Sequence, residues 1–333
     1  MLTYKNGPAS DPFYDIYSSD AWLRDFDPPG AFPLFLNVEP TNVCQLDCLF
    51  CSRQLSQRPF GSLGLDLAEA MAEEAASYPG TAVRFTGWGE PLLHPKIADL
   101  AAVFKKRGVR LKIYTNGLAL TPKLMDRLIE LEVDDLQFSL QGLNEAQYLK
   151  NRVGSDWGRL KANAAMAFER RGKAKKPFLS VLTSALAAEL AEAKAEDFTS
   201  EWLGVADKVA VDLTNLNFVS ELDRVRPLLG EQSKSLRRGR CVDVFLALEV
   251  KYDGSIQFCG QDSKGLSEHT IGKLGEMTLA EAWAGPEMER KRDQVGRNLG
   301  HDQSPVCKNC YHNTDKYDLF KKGPPAPESA GLS

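Results

Sequence analysis

Along most of the chain, short apolar runs alternate with longer stretches of helical periodicity. Leu34 to Glu39 reads as a buried strand that delivers the chain into Cys44. The segments AVRFTG (82–87), VRLKIYTNG (109–117), DDLQFSL (134–140), FLSVLT (178–183) and VADKVAVDL (205–213) read the same way. Between them the pattern predicts helices near 96–107, 122–131, 156–171 and 186–204. Strands joined by helices of this length form βαβ units with right-handed crossovers, hence a parallel sheet. The expected fold is α/β, a partial (β/α)6 TIM-like barrel, followed by a small α+β domain made of a β-hairpin and a helix.

In barrels, ligands gather at the carboxyl ends of the strands. The notable polar residues fall there: Cys44, Cys48 and Cys51 after the first strand, Gly87 to Pro91 after the second, Asn116 after the third, Ser139 to Gln141 in the fourth and Thr183 in the fifth. Residues 1–33 read as an irregular leader and 34–215 as the barrel. The alternation stops in a basic segment containing Pro and Gly, read as a linker over 216–240. The small domain spans 241–322, with Asp253-Gly254 as its hairpin turn and a helix near 278–294, and 323–333 forms a mobile tail.

Composition narrows the class of partner. Of 333 residues, 43% are hydrophobic and 26% charged, within the globular range, and the formal net charge is −4. That balance lacks the basic excess of a nucleic-acid binder. No apolar stretch approaches the ~20 residues of a membrane span, and the N-terminus lacks the order of a signal peptide, so a cytoplasmic location is expected.

Seven cysteines fall into two groups. Cys44, Cys48 and Cys51 have C-x3-C-x2-C spacing, and three thiolates on one short loop suit zinc, Cu(I) or an iron-sulfur cluster. In a four-iron cluster this would leave one iron open to an outside ligand. A zinc site would need a fourth ligand such as His94; the remaining histidines are His269, His301 and His312. Cys241, Cys259, Cys307 and Cys310 could supply four ligands to zinc or to a cubane, and spacing does not choose between them.

EPTNVCQLDCLFC, with Phe50 before the third cysteine, resembles the cluster motif of radical S-adenosylmethionine (SAM) enzymes. Gly87-Trp88-Gly89-Glu90-Pro91 resembles their GGEP motif, Thr115-Asn116-Gly117 the segment ending the third strand, and Ser139-Leu140-Gln141 the ribose-contacting segment of the fourth. The resemblance implies a [4Fe-4S] cluster on Cys44, Cys48 and Cys51 whose free iron binds the amino and carboxylate groups of SAM. It places Gly87, Trp88, Gly89 and Glu90 near the amino group, Ser139 and Gln141 at the ribose, and Arg152 and Asn116 at the carboxylate, with Phe50 and Thr183 in the same set. The family more often has a small residue where Trp88 stands.

Behind that core, C-x12-G-x4-C, IGKLGEMTLAEAW and C-x2-C resemble a SPASM/twitch auxiliary-cluster domain, without the further cysteines of a full SPASM pattern. This implies a second [4Fe-4S] cluster on Cys241, Cys259, Cys307 and Cys310, as in members similar to 2-deoxy-scyllo-inosamine dehydrogenase. The expected reaction is oxidation of a small sugar, aminocyclitol or nucleoside sugar, with the second cluster accepting an electron and an external flavodoxin or ferredoxin supplying the first cluster. A base should lie close to the departing proton; Asp262 is the candidate, with Asp212 and Glu249 behind it. Peptide maturation is the alternative, disfavoured because only 43 residues precede Cys44, too few for a leader-binding winged helix. Redox-neutral epimerisation or decarboxylation and a zinc-stabilised binding module without chemistry complete the set. The basic residues Arg224, Arg226, Lys234, Arg237, Arg238 and Arg240 suit a solvated connector or a phosphate contact.

Overall fold

The computed structural model of the chain describes residues 2–5, 29–174, 176–214, 241–262, 269–298 and 300–308. The linker expected at 216–240, Cys310, His312 and the tail lie outside them.

The strands are β1 (Leu2–Lys5), β2 (Phe35–Val38), β3 (Asp47–Cys48), β4 (Ala82–Phe85), β5 (Arg110–Thr115), β6 (Asp135–Gln141), β7 (Arg152–Val153), β8 (Phe178–Ala185), β9 (Lys208–Leu213), β10 (Ala247–Val250), β11 (Ser255–Gln257) and β12 (Thr270–Lys273). One ten-stranded sheet runs in the order β1-β9-β8-β6-β5-β4-β2-β10-β11-β12. Its centre, β2-β4-β5-β6-β8-β9, is parallel throughout, the expected partial barrel. The small C-terminal unit does not stand apart. Its first strand, β10, pairs parallel with β2, so the hairpin β10–β11 extends the barrel sheet beyond its first strand. At the other edge, β1 pairs antiparallel with β9, giving a strand to a leader expected to be irregular.

Side-chain parity divides the sheet. Leu36, Val38, Val83, Phe85, Leu111, Ile113, Leu136 and Phe138 share one core with the helices α1 (Leu65–Ala76), α2 (Ile97–Lys105), α3 (Pro122–Glu130) and α5 (Trp157–Arg171), which follows the short α4 (Glu145–Asn151). Alternate positions face the other way. There Glu249, Asn37, Arg84, Lys112 and Asp135 stand side by side in register across five strands. Parallel strands covered on both faces are usually apolar runs; this belt is polar. Lys112 Nζ meets Asp135 Oδ2 at 3.0 Å with both side chains fully buried, and Ser180 Oγ donates to Asp135 Oδ1 at 2.8 Å. Beneath the belt, Phe35, Ala82 and Leu246 close the interior, and the Arg84 guanidinium stacks 3.3 Å over the Phe35 ring.

Local chemistry explains where elements differ from expectation. The helix read over 186–204 is two, α6 (Ala187–Glu192) and α7 (Ala195–Trp202), because the chain extends at Ala193. That break lets Trp202 pack edge-on against Trp157 at 5.6 Å. The helix read over 278–294 breaks at extended Gly285, and Pro286, unable to continue a helix, starts the next. Helix α1 went unread although Ala68, Met71, Ala72 and Ala75 form its buried stripe at helical spacing.

Asp135→Ala is expected to cost ~3–5 kcal/mol by stranding Lys112 in the interior, whereas the paired Lys112→Met, Asp135→Leu replacement should cost less than the single change. Denaturant unfolding midpoints test this, and a single variant as stable as the native chain would refute it.

Candidate functional site

The carboxyl ends of β2, β4, β5 and β6 surround an open cavity of about 250 Å³. Cys44, Cys48, Cys51, Phe50, Gly87, Trp88, Gly89, Glu90, Asn116, Ser139, Gln141 and Arg152 all line it, joined by Tyr114 and Thr115. Thr183, expected with them, does not. It pairs with core Leu140, so strand parity turns it away from the face of Ser139 and Gln141, and its hydroxyl donates to the Gly142 carbonyl at 2.5 Å.

Three attachments hold the cysteine loop. β3 pairs with β7, setting Cys48 opposite Arg152, and Leu49 N donates to Asn151 O at 2.7 Å. This ladder explains how Arg152, remote in sequence, reaches the cavity. At the loop's far end, Arg58 makes two contacts with Glu39 at 2.7 and 2.8 Å, while Tyr252 in the β10–β11 turn donates to Pro59 O at 2.6 Å. Arg53 donates to Leu46 O at 2.9 Å inside the loop.

The third attachment is Glu90. Its N–H donates to Val43 O in the cysteine loop at 2.8 Å. Its buried carboxylate accepts from the Thr115 hydroxyl at 2.6 Å, from Asn116 N at 2.7 Å and from Leu92 N at 3.0 Å. Asn116 in turn accepts from Gln45 Nε2 at 3.1 Å and sets its own amide 4.0 Å from Cys44 Sγ. Burial pushes the Glu90 carboxyl above its ordinary range, and these hydrogen bonds with nearby Arg152 offset only part of that. The carboxylate expected beside a ligand amino group is thus committed to three loop donors.

The glycines of the 87–89 turn face protein. A Cβ on Gly87, which has φ +133°, would fall 2.7 Å from Glu39 Cγ, and one on Gly89 would fall 2.0 Å from Thr41 O. Only glycine permits the turn to press so closely on the chain leading into the cysteines. Glu39 also accepts from Trp88 N at 3.2 Å. Burial works against ionisation of Glu39, but Arg58 and Lys251 outweigh it and hold the carboxyl below its ordinary range. Neither Glu39 nor Arg58 was anticipated from sequence, because their partnership spans the whole cysteine loop.

Among the cavity-lining residues, Trp88 Nε1, Gln141 Oε1 and Arg152 Nε are buried and make no hydrogen bond, at a cost of about 1–3 kcal/mol each. Burial pushes the Cys51 thiol up to about 11 and raises that of Cys44, so these sulfurs are thiols until a metal takes them.

Residues 38–183 match the radical SAM superfamily, and residues 241–311 match the SPASM iron-sulfur cluster-binding domain. The chain carries a radical SAM domain and a SPASM domain. A tungsten-containing aldehyde ferredoxin oxidoreductase cofactor-modifying protein of Pyrococcus furiosus is 37% identical over 114 residues, 34% of this chain and 32% of that protein. A dTDP-4-amino-4,6-dideoxy-D-glucose ammonia-lyase of Streptomyces venezuelae is 33% identical over 123 residues, 35% of this chain and 25% of that one. The chain thus spans at most about a third of the length of these curated relatives. BtrN in complex with AdoMet and 2-DOIA superposes with TM-score 0.54 at 18% identity, covering 84% of this chain and 93% of BtrN. Streptococcus suis SuiB bound to precursor peptide SuiA gives 0.58 at 16%, covering 91% and 76%. At such identities the likeness is one of fold.

Of the second cysteine group, Cys241, Cys259 and Cys307 are described and do not line the cavity. Cys307 is buried, while Cys241 and Cys259 are half-buried. Asp262 is buried beside His269 and, like Glu249 and Asp212, does not line the cavity. No described helix is long and apolar enough to cross a membrane.

Two outcomes are expected. Gly89→Ala should push the turn off Thr41 and cost about 1–3 kcal/mol of stability, read by denaturant unfolding. Because the Glu39 carboxyl is lowered on folding, its contribution is complete above 4.5, its unfolded value, and fades as pH falls through the folded value. Arg58→Gln should therefore lose ~3 kcal/mol at neutral pH and converge with the native chain in acid, followed by unfolding at stepped pH.

Proposed function

We propose that this chain cleaves SAM reductively and uses the resulting radical to oxidise a small, hydroxyl-rich metabolite. One observation carries the reading: Cys44, Cys48 and Cys51 line a single cavity together with Trp88, Gln141 and Arg152. Among the described residues, no three His, Cys, Asp or Glu side chains converge on a single ion. Three thiolates on one short loop suit separate irons of a [4Fe-4S] cluster with one iron open, whereas a structural zinc takes four protein ligands.

In this proposal Cys44, Cys48 and Cys51 hold the cluster, with its fourth iron left for the methionine end of SAM. When bound, the cluster would supply the electron for cleavage of a carbon–sulfur bond of SAM, giving methionine and a 5′-deoxyadenosyl radical. The chain's residues do the rest. Ser139 and Gln141 meet the ribose, Arg152 and Asn116 orient the carboxylate, and Phe50 and Trp88 exclude water. Glu90 orients the loops and makes no ligand contact.

Cys241, Cys259, Cys307 and Cys310 would hold a second [4Fe-4S] cluster, which would accept one electron from a substrate that gives up a hydrogen atom to the radical and a proton to a base. The net change is a two-electron oxidation. A one-electron donor of flavodoxin or ferredoxin type supplies the first cluster. The likeness to BtrN with its bound 2-DOIA supports the small-molecule reading; that to SuiB with its precursor peptide supports peptide modification as the second.

Replacing Cys44, Cys48 or Cys51 by Ala should abolish formation of methionine and 5′-deoxyadenosine, whereas Cys259→Ala or Cys307→Ala should spare cleavage and stop substrate oxidation. Incubation with deuterated aminocyclitols, sugars and peptides, followed by mass spectrometry of the deoxyadenosine, identifies the substrate class. Label arriving only from a peptide would overturn the small-molecule reading, and deoxyadenosine made by the Cys44 variant would overturn the whole.

A further inference from the structure

Outside the cavity, three buried polar side chains meet between the cysteine-bearing segments of the SPASM domain. Asp262, three residues after Cys259, lies on one side; Ser304, three residues before Cys307, lies on the other; His269 stands between them. His269 Nε2 is 3.0 Å from Ser304 Oγ, and its Nδ1 is 3.6 Å from Asp262 Oδ2. Gln257 Nε2 approaches the same carboxylate oxygen at 3.4 Å. The order is that of a hydrolytic serine relay, but none of the three is more than 2% exposed, so no substrate reaches the serine. The set joins two pieces of chain.

His269 Nε2 shares a hydrogen bond with the Ser304 hydroxyl, while Nδ1 makes no hydrogen bond among the described residues and faces the Asp262 carboxylate across 3.6 Å. Phe258 packs edge-on against the imidazole at 4.8 Å, and Lys291 Nζ lies 4.5 Å over the far side of Phe258. The segment from Gln257 to Asp262 is therefore held at both ends. Between those holds, Gln261 N donates to Cys259 Sγ at 3.4 Å. An N–H aimed at a ligating sulfur stabilises the reduced cluster, and groups that orient ligands tune the metal.

We propose that His269 is a positioning residue for the second cluster. Through Asp262 and Ser304 it fixes the Cys259 segment against the Cys307 turn, keeps the Gln261 amide on Cys259 Sγ, and so sets the potential at which that cluster accepts the substrate's electron. This rests on the proposed cluster at Cys241, Cys259, Cys307 and Cys310. It assigns Asp262 to this bridge, in place of the base expected from sequence.

The test uses the full chain carrying Cys44→Ala, Cys48→Ala and Cys51→Ala, so that only the second group can hold iron. Iron and sulfide content and an EPR-monitored redox titration are compared for this parent, for His269→Phe, which keeps the ring volume against Phe258, for Ser304→Ala and for Ser304→Thr. The inference predicts that His269→Phe and Ser304→Ala retain iron and shift the reduction equilibrium about tenfold toward the oxidised cluster, 59 mV for a one-electron couple. Ser304→Thr, with its hydroxyl intact, should titrate with the parent. Loaded His269→Phe and Ser304→Ala chains titrating at the parent potential would overturn the positioning role. A parent without iron and sulfide would instead overturn the proposed second cluster.

Discussion

The site depends on a buried carboxylate that ties its loops together. Glu90 is buried where three loops from three strands converge, and it accepts hydrogen bonds from the loops after β4 and β5 while its own N–H reaches the cysteine loop after β2. Loops at a barrel mouth have no backbone ladder to align them. A buried acceptor with several donors supplies that alignment, because each donor left unpaired would cost about 1–3 kcal/mol. Its burial raises the carboxyl's affinity for a proton, which three hydrogen bonds and Arg152 only partly counter. The geometry of the three cysteines thus rests on a group paired almost wholly with protein.

A second constraint joins the two cysteine groups. Because β10 adds directly to β2, the strand leading into the first cysteines and the strand opening the SPASM hairpin are hydrogen-bonded neighbours. Tyr252, in the turn after β10, reaches Pro59 on the cysteine loop and lies where a Gly61 side chain would otherwise be. Glu249, on β10, accepts from Asn37 of β2 and leaves no room for a side chain on Gly260, next to Cys259. The segments carrying the two groups are therefore coupled through one sheet edge. Relative motion between them would break strand pairing.

Much of this was legible in the sequence, for identifiable reasons. The six parallel strands announced themselves through apolar runs bounded by helical periods, and the cavity residues through motifs at strand ends. What escaped depended on tertiary partners. Thr183 looked equivalent to Gln141 as a strand-end polar residue, yet the register Leu140↔Thr183 turns it to the opposite face. Arg152 came from a motif, but only its pairing with Cys48 explains its place. Nothing local marks Glu39 and Arg58 as partners. The pairing of β10 with β2 was not legible, because a hairpin signal states how β10 meets β11 and is silent on its other edge.

The central claim is that these loops hold a three-thiol cluster with one corner open to SAM. The most direct measurement is the EPR spectrum of the reduced, iron-loaded chain titrated with SAM, alongside Glu90→Gln, whose amide must turn an N–H toward one of the three donors. The account predicts a saturable change in the native spectrum and a requirement for at least tenfold more SAM in the variant. A fully loaded native chain whose spectrum ignores saturating SAM would contradict it.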